Sequence, residues 1–122
     1  MQREMDLLRS ILLELERQNY DSGWAEISIP GRSEVEISYH VRLLADAELI
    51  EAIDLSNMDG ICWRPRRMTY QGHEFLDAAR NETLWAKAKD TVISTTGTLT
   101  VEALKITLAA LIKKGLAAGL GG

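Results

Sequence analysis

The first part of the chain alternates apolar and charged side chains with the spacing of an α-helix. Four apolar residues follow one another at intervals of three and four: Met5, Leu8, Leu12 and Leu15. This spacing places them along one side of a helix, and the charged residues between them lie on the other side. We therefore predict a helix over residues 3–18, followed by a loop over residues 19–23.

The pattern then changes to strict alternation. One set of side chains, Trp24, Glu26 and Ser28, alternates with a second set, Ala25, Ile27 and Ile29. A period of two is typical of a half-buried β-strand, and Pro30-Gly31 would end such a strand. The sequence therefore predicts a short strand over residues 24–29.

A second helix is predicted to begin at Ser33. The serine hydroxyl can accept a hydrogen bond from the first helical turn, and Glu36 can reach back to the serine, which together form a capping box. The helix is expected to end near Ala47. One face would carry Ile37, Val41 and Leu44, and the opposite face would carry Val35, Tyr39, Arg42 and Asp46.

Two further strands are predicted over residues 50–55 and 61–67, because a turn-rich connection of five residues joins them as in a β-hairpin. Thr69 is suited to cap a third helix, which we expect to bend near Asn81 and to continue through Val92. A last helix is predicted from about Thr100 to Lys114, and the glycine-rich tail that follows is expected to fray.

The order of these elements is helix, strand, helix, hairpin, helix, helix. A helix followed by a two-stranded wing is the winged-helix arrangement, which is related to the helix-turn-helix. We predict an α+β, mostly helical fold: a winged-helix domain over residues 1–93, a linker over 94–99, and an additional C-terminal helix and tail over 100–122. The C-terminal segment would belong to the same structural unit or to an oligomer interface.

Chain length and charge limit the classes of protein to which this sequence can belong. A chain of 122 residues fits one domain, and the net charge of −4 argues mildly against a dedicated nucleic-acid-binding protein. Cys62 is the one cysteine, so no disulfide can form within the chain, which suits a reducing cytoplasm. The charged N-terminus does not resemble a secretory signal, and no run of about 18 apolar residues is present. We expect a cytoplasmic protein.

A resemblance to a known family supports the fold prediction. Residues 41–52 resemble the end of a winged-helix recognition helix that leads into the wing. Residues 5–9, 33–40, 49–52 and 69–76 resemble the bacterial and phage family called domain of unknown function 2513. The resemblance implies a winged-helix fold and a phage or mobile-element setting, and it implies no activity. The sequence departs from winged helices at Glu48, where a glycine is common, and it lacks the usual second helix.

DNA binding is one hypothesis that this arrangement suggests. The exposed face of the second helix would offer Ser38, Tyr39 and Arg42 to base edges in a major groove. Four arginines would contact phosphates: Arg32 before the helix, and Arg64, Arg66 and Arg67 in the wing. Against this, Glu34 and Glu36 lie where phosphates would repel them, and the arginines could belong to an ordinary solvated surface.

Other chemistry is poorly represented. The pair His73 and Asp77 has half of a zinc-protease helix motif, but no third ligand follows at a suitable spacing. Cys62 lies between apolar residues, and the chain has neither a glycine-flanked nucleophilic serine nor a phosphate-binding loop with lysine. We therefore expect no catalytic site, no metal and no cofactor.

The last helix carries apolar residues on more than one side. Val101, Leu104, Leu108, Leu111 and Ile112 form one face, while Ala103, Ile106 and Ala110 lie outside it. Such a helix packs on its own domain, covers a second chain, or lies on a membrane surface. We expect a homodimer through Ala103, Ile106 and Ala110, without stable membrane insertion.

Two functions follow from these observations. The first is a small winged-helix DNA-binding or regulatory factor of a phage or mobile element. The second is a non-enzymatic protein-interaction module with the same fold, such as a partner subunit in a phage–host conflict system. The arginines of the wing favour the first hypothesis, and the acidic net charge favours the second.

Overall fold

The computed structural model describes residues 1–18 and 23–121, with side chains up to Gly115. The fold is α+β and mostly helical. Its elements are α1 (Met5–Arg17), α2 (Glu34–Asp46), β1 (Ile50–Asp54), β2 (Trp63–Met68), α3 (Tyr70–Ala79), α4 (Glu82–Thr96) and α5 (Val101–Gly121). The chain forms two compact units, Met1–Leu76 and Asp77–Gly122. Of the predicted loop over residues 19–23, residues 19–22 lie outside the described part.

The start of α1 is held by a histidine from α2. The Glu4 N–H donates to Nε2 of His40 at 3.0 Å, and Nδ1 of His40 lies 2.7 Å from the Glu36 carbonyl oxygen. Because Nε2 accepts, the ring proton belongs on Nδ1, where it can donate to that carbonyl. The side chain of Glu4 itself makes no capping hydrogen bond. The buried neutral ring therefore replaces a local cap for α1.

Helix α2 is the centre of the first unit and packs against α1 and both strands. The predicted capping box is present: the Glu36 N–H donates to the Ser33 hydroxyl, and the Ser33 N–H donates to the Glu36 carboxylate. The predicted apolar face is also buried. Because α2 has neighbours on two sides, burial extends beyond that face to Ser38 and His40.

The end of α2 adopts the geometry that glycine usually provides. Glu48 has a φ of 63°, in the left-handed region. The Leu49 N–H bonds to the Leu44 carbonyl at 3.0 Å, and the Glu48 N–H bonds to the Ala45 carbonyl at 2.9 Å. These two bonds form a Schellman motif, with Leu44 and Leu49 buried together at its apolar contact. Glu48 therefore occupies the left-handed position of this motif, although glycine is the residue that adopts this conformation most readily.

Strands β1 and β2 form the predicted antiparallel hairpin, with an irregularity in the middle. Glu51 pairs with Arg67 and Ala52 pairs with Pro65, so Arg66 is an extra residue in a β-bulge. Pro65 lacks an N–H, and a bulge is one of the few sheet positions where it fits. The bulge leaves Pro65 and Met68 both buried and turns two consecutive arginines outward.

The strand predicted over residues 24–29 does not form. The Ala25 N–H donates to the Pro65 carbonyl at 2.8 Å, but the segment has no ladder pairing with β2. Side-chain burial nevertheless alternates as expected, with Ala25 and Ile27 buried between exposed residues. The alternating sequence pattern correctly predicted which side chains of this segment are buried. It did not predict whether a neighbouring strand would pair with the segment.

Helix α3 begins very close to the end of α2. As predicted, Thr69 caps it: the Gly72 N–H donates to the Thr69 hydroxyl, which itself donates to the Glu48 carbonyl at 2.7 Å. The Thr69 N–H also donates to the Leu49 carbonyl at 3.0 Å. Gly72 allows this approach, because a Cβ atom there would lie 1.9 Å from the Leu49 carbonyl oxygen.

The second unit packs α4 against α5. The predicted bend near Asn81 is a break between two helices, and the Asn81 side chain caps α4 by accepting from the Leu84 N–H. Helix α4 runs to Thr96 and ends at the left-handed Gly97, so the linker predicted over residues 94–99 is shorter than expected. Thr100 caps α5, and that helix continues to Gly121 instead of ending at Lys114.

Among the described residues, no single helix has both the length and the apolar character needed to cross a membrane. Helices α4 and α5 satisfy the length and composition requirement only as a pair, and a bend of 120° separates them.

Candidate interaction surface

The surface that the sequence singled out lies on α2 and the β1–β2 hairpin. Four residues at intervals of three and four form its stripe on α2: Val35, Tyr39, Arg42 and Asp46. Val35 is 49% exposed, Arg42 and Asp46 are exposed, and Tyr39 is half-buried. We call these four residues, with the neighbouring Glu34 and the hairpin turn over residues 55–62, the α2–hairpin surface. It contains two acidic groups and one basic group on α2.

Ser38, which the sequence placed beside Tyr39 and Arg42 as a base contact, requires a correction. Only 6% of Ser38 is exposed, and its hydroxyl accepts a hydrogen bond from the Trp63 N–H at 3.1 Å. Ser38 therefore attaches the start of β2 to α2 and is not accessible to a base edge. The apolar spacing in α2 did not indicate this contact, because the hairpin covers a second side of the helix.

The three arginines of β2 are already engaged within the chain. Arg67 makes two hydrogen bonds to the Glu51 carboxylate, at 2.8 and 3.0 Å, and lowers the pKa of that carboxyl. Arg66 donates to the Gly23 carbonyl at 3.3 Å, and Arg64 lies 4.0 Å from the Glu26 carboxylate. Arg64 and Arg66 flank the buried Pro65, and the β-bulge places Arg67 beside Arg66 as a second consecutive exposed arginine.

Arg32, the fourth expected phosphate contact, is held between two carboxylates. Its guanidinium pairs with Glu4 through both terminal nitrogens and lies 3.1 Å from the Glu36 carboxylate. The pKa of Glu4 is lowered mainly by the hydrogen bond from Arg32. The pKa of Glu36 is lowered first by the Ser33 backbone N–H and then by Arg32. Arg32 thus joins the starts of α1 and α2.

A small cavity of about 60 Å³ lies between the first turns of α2 and the start of β2. Five of its nine lining residues are apolar, and Glu34 and Arg64 contribute one charge of each sign. The apolar wall residues are Ile27, Ile37, Ile61, Trp63 and Pro65. The side chains of Ser38 and Cys62 complete the lining. A space of this size holds a few water molecules or the end of one aliphatic side chain.

The hairpin turn presents an unusual apolar residue. The Met58 side chain is fully exposed at the tip, next to the exposed Asp59. The turn is ordered by short-range bonds, such as the Ser56 N–H to the Asp54 carboxylate at 2.9 Å. Hydrogen bonds from the Ser56 hydroxyl and, second, from the Ser56 N–H lower the pKa of Asp54, with a smaller contribution from the charge of Arg42. Asp59 is the one charged residue in the turn, residues 55–62, so the turn carries a negative charge.

The two histidines and the cysteine of the chain, which are its usual metal-ligand types beside carboxylates, do not lie in one cluster. Within residues 1–18 and 23–121, no three histidine, cysteine or acidic side chains are grouped as metal ligands. His40 is buried with both ring nitrogens in protein contacts, Cys62 is half-buried, and His73 is exposed on α3. This arrangement offers no donor set on which to base a metal site.

The three residues expected to form an oligomer contact differ in exposure. Ile106 is 63% exposed and Ala110 is exposed, whereas Ala103 is half-buried. Leu104 and Leu108 are the fully buried residues on the described part of α5. The outward face of α5 is thus centred on Ile106, and Ala103 lies at its margin.

Comparisons with known proteins place the chain in a family. No solved structure matches it. A Haemophilus influenzae protein described as an uncharacterized protein is 41% identical over 118 residues, which cover 96% of this chain and the full length of that relative. The model of the family described as "Hypothetical protein (DUF2513)" matches residues 2–98, and the chain belongs to this family.

Proposed function

We propose that the first unit is a winged helix that acts without catalysis, by binding a partner protein through the α2–hairpin surface. The order α1, α2 and antiparallel hairpin supports the winged-helix assignment. We favour a protein partner over DNA because two of the arginines expected to contact phosphates already bind carboxylates of the same chain. These are Arg32 and Arg67.

The charges of the surface oppose a nucleic acid more than they attract it. Each phosphate contact through Arg67 would compete with its two bonds to Glu51, and the displaced carboxylate would remain beside the phosphate. On α2, Glu34 and Asp46 face outward with Arg42 as the one basic group of the stripe. Because phosphate neutralisation supplies most non-specific DNA affinity, this surface offers little of it.

The apolar features of the surface suit a protein. Val35 and Met58 expose large apolar side chains, and five of the nine residues that line the nearby cavity are apolar. Protein interfaces typically seat an apolar or aromatic anchor in such a depression and surround it with polar groups of both signs. We therefore expect a partner that inserts one aliphatic side chain beside Val35 and places a basic group near Glu34.

Site-specific photocrosslinking in the native host cell tests this proposal. Tyr39 is replaced by benzoylphenylalanine in the full chain, since an aromatic residue already occupies this half-buried position. We expect a discrete protein adduct, and we expect Val35→Asp in the same chain to reduce it severalfold. The matched control carries the photoreactive residue at Thr83, an exposed position on α4. Failure to form a protein adduct specific to position 39 would refute the proposed partner surface.

DNA binding is the second candidate function, favoured by the position of the exposed Arg42 on a helix that precedes a two-stranded wing. Exposed ion pairs contribute only about 0–1 kcal/mol, so a phosphate could replace Glu51 as the partner of Arg67. The test is titration of random duplex DNA at two salt concentrations. Under this hypothesis, replacing Arg64, Arg66 and Arg67 by glutamine weakens binding to all sequences and flattens its salt dependence. Unchanged affinity would exclude these contacts.

A further inference from the structure

The outward side of α5 has a symmetry that points to a second copy of the same chain. Six exposed residues form one continuous stripe over about three turns of the helix: Glu102, Lys105, Ile106, Ala109, Ala110 and Lys113. Their spacing is the same when counted from either end of the stripe. From these positions we infer that α5 pairs with α5 of a second copy in antiparallel orientation, about a two-fold axis between residues 107 and 108.

Antiparallel pairing matches opposite charges. In this register Glu102 faces Lys113 of the partner subunit and Lys113 faces Glu102 of the partner subunit, so one arrangement produces two ion pairs. Neither residue forms an ion pair with another described residue of its own chain. A parallel pairing would instead place each residue opposite its own copy, with like charges in contact.

The same register fits the shapes at the centre. Ile106 faces Ala109 of the partner subunit, so a large side chain meets a small one at both symmetric positions. Lys105 faces Ala110 of the partner subunit and can lay its aliphatic stem along the pair while its ammonium group stays in water. Ile106 is 63% exposed in the single chain, and this contact covers it. The half-buried Ala103 takes no part.

The limited size of the stripe determines the strength of association. Twelve helical residues span about 18 Å, and one such contact buries well below the roughly 800 Å² per partner of a typical stable complex. We therefore expect weak, concentration-dependent dimerisation. Sedimentation equilibrium of the intact chain between about 10 µM and about 1 mM is the appropriate measurement, because it spans the expected dissociation constants.

Charge exchange identifies both the partner and the register. Glu102→Lys and Lys113→Glu are each expected to raise the dissociation constant by roughly tenfold, because each replaces two attractive pairs by two repulsive ones. The chain with both substitutions should dimerise like the parent. An equimolar mixture of the two single variants should also associate, since both charge pairs are restored between unlike chains.

Two controls separate association from folding. Lys87→Glu makes the same charge change on the exposed side of α4 and should leave association unchanged. Glu102→Lys also alters a charge in the first turn of α5, but any folding defect of that origin would persist in the double variant, whereas dimerisation returns. Ile106→Lys should abolish dimerisation at an unchanged melting temperature. A parent that is monomeric up to about 1 mM, or a double variant that stays monomeric, would overturn the inference.

Discussion

Replacing Gly72 by alanine should destabilise the protein, although alanine is the better helix former. Gly72 lies in the first turn of α3, where an added Cβ atom would come within 1.9 Å of the Leu49 carbonyl oxygen and 2.6 Å of the Met68 side chain. The first contact is with backbone, which cannot rotate away as a side chain can. Helix α3 must therefore move, or the end of α2 must.

The expected magnitude follows from three opposing contributions. Forcing an extra carbon into a packed site costs about 1–3 kcal/mol. Displacement of α3 also weakens the bond from the Thr69 N–H to the Leu49 carbonyl, which contributes about 1 kcal/mol. Helix propensity returns about 1 kcal/mol in favour of alanine. We expect a net loss of about 2 kcal/mol in the free energy of unfolding, or a fall of about 10 °C in melting temperature.

The assay is thermal and urea unfolding of the parent and the variant, followed by circular dichroism. Gly115→Ala is the matched control, because a Cβ atom at Gly115 in α5 meets nothing within 4 Å. The same substitution there should leave stability unchanged or raise it by up to about 1 kcal/mol. If Gly72→Ala is as stable as the parent, the close approach of α3 to Leu49 is wrong.

Three further changes test other parts of the structure. Glu48→Gly should raise the free energy of unfolding of the first unit by about 0.5 kcal/mol in urea unfolding. Glycine removes the strain of the left-handed conformation, and the greater freedom of glycine in the unfolded chain cancels part of that gain. A destabilised variant would contradict the Schellman motif. Ser38→Ala should cost about 1–2 kcal/mol, because the half-buried Trp63 N–H loses its acceptor, whereas Ser38→Thr should retain part of that stability if the methyl group fits. Glu14, whose pKa the bonds from Arg17 and Gln18 lower to about 2, contributes stability that is present above its ordinary pKa near 4.5 and is lost as the pH falls toward 2. Glu14→Gln should therefore flatten the acid side of the stability profile, and an unchanged profile would show that the pair is ineffective in solution.

Local signals in the sequence predicted where α2 and α3 begin. The capping box at Ser33 and the cap at Thr69 act within three residues, so their geometry is determined by neighbours in the chain. Helical spacing likewise identified the buried faces of α1 and α2. Such features need no knowledge of which elements later pack together.

The failures concern features that depend on distant residues. Ser38 is buried where it accepts a hydrogen bond from the Trp63 N–H, 25 residues later in the chain. The segment from Ala25 forms no ladder, and its backbone hydrogen bond to β2 among the described residues is the one from the Ala25 N–H to the Pro65 carbonyl. Glu48 adopts a left-handed conformation that its side chain disfavours, because the motif at the end of α2 and the Thr69 hydroxyl fix its backbone. The sequence also did not indicate which carboxylates the arginines would bind. Arg32 meets Glu4 across 28 positions, which no local pattern records.

The β-bulge gives this hairpin an unusual tolerance to a change in chain length. Deleting a residue inside a strand normally turns every following side chain to the opposite face. Arg66 is the residue without a pairing partner, so its loss would leave Ala52 opposite Pro65 and Glu51 opposite Arg67 as they are now. Relatives one residue shorter at this point could therefore keep the same hairpin and the same buried side chains, so a gap placed inside this strand in an alignment is structurally acceptable.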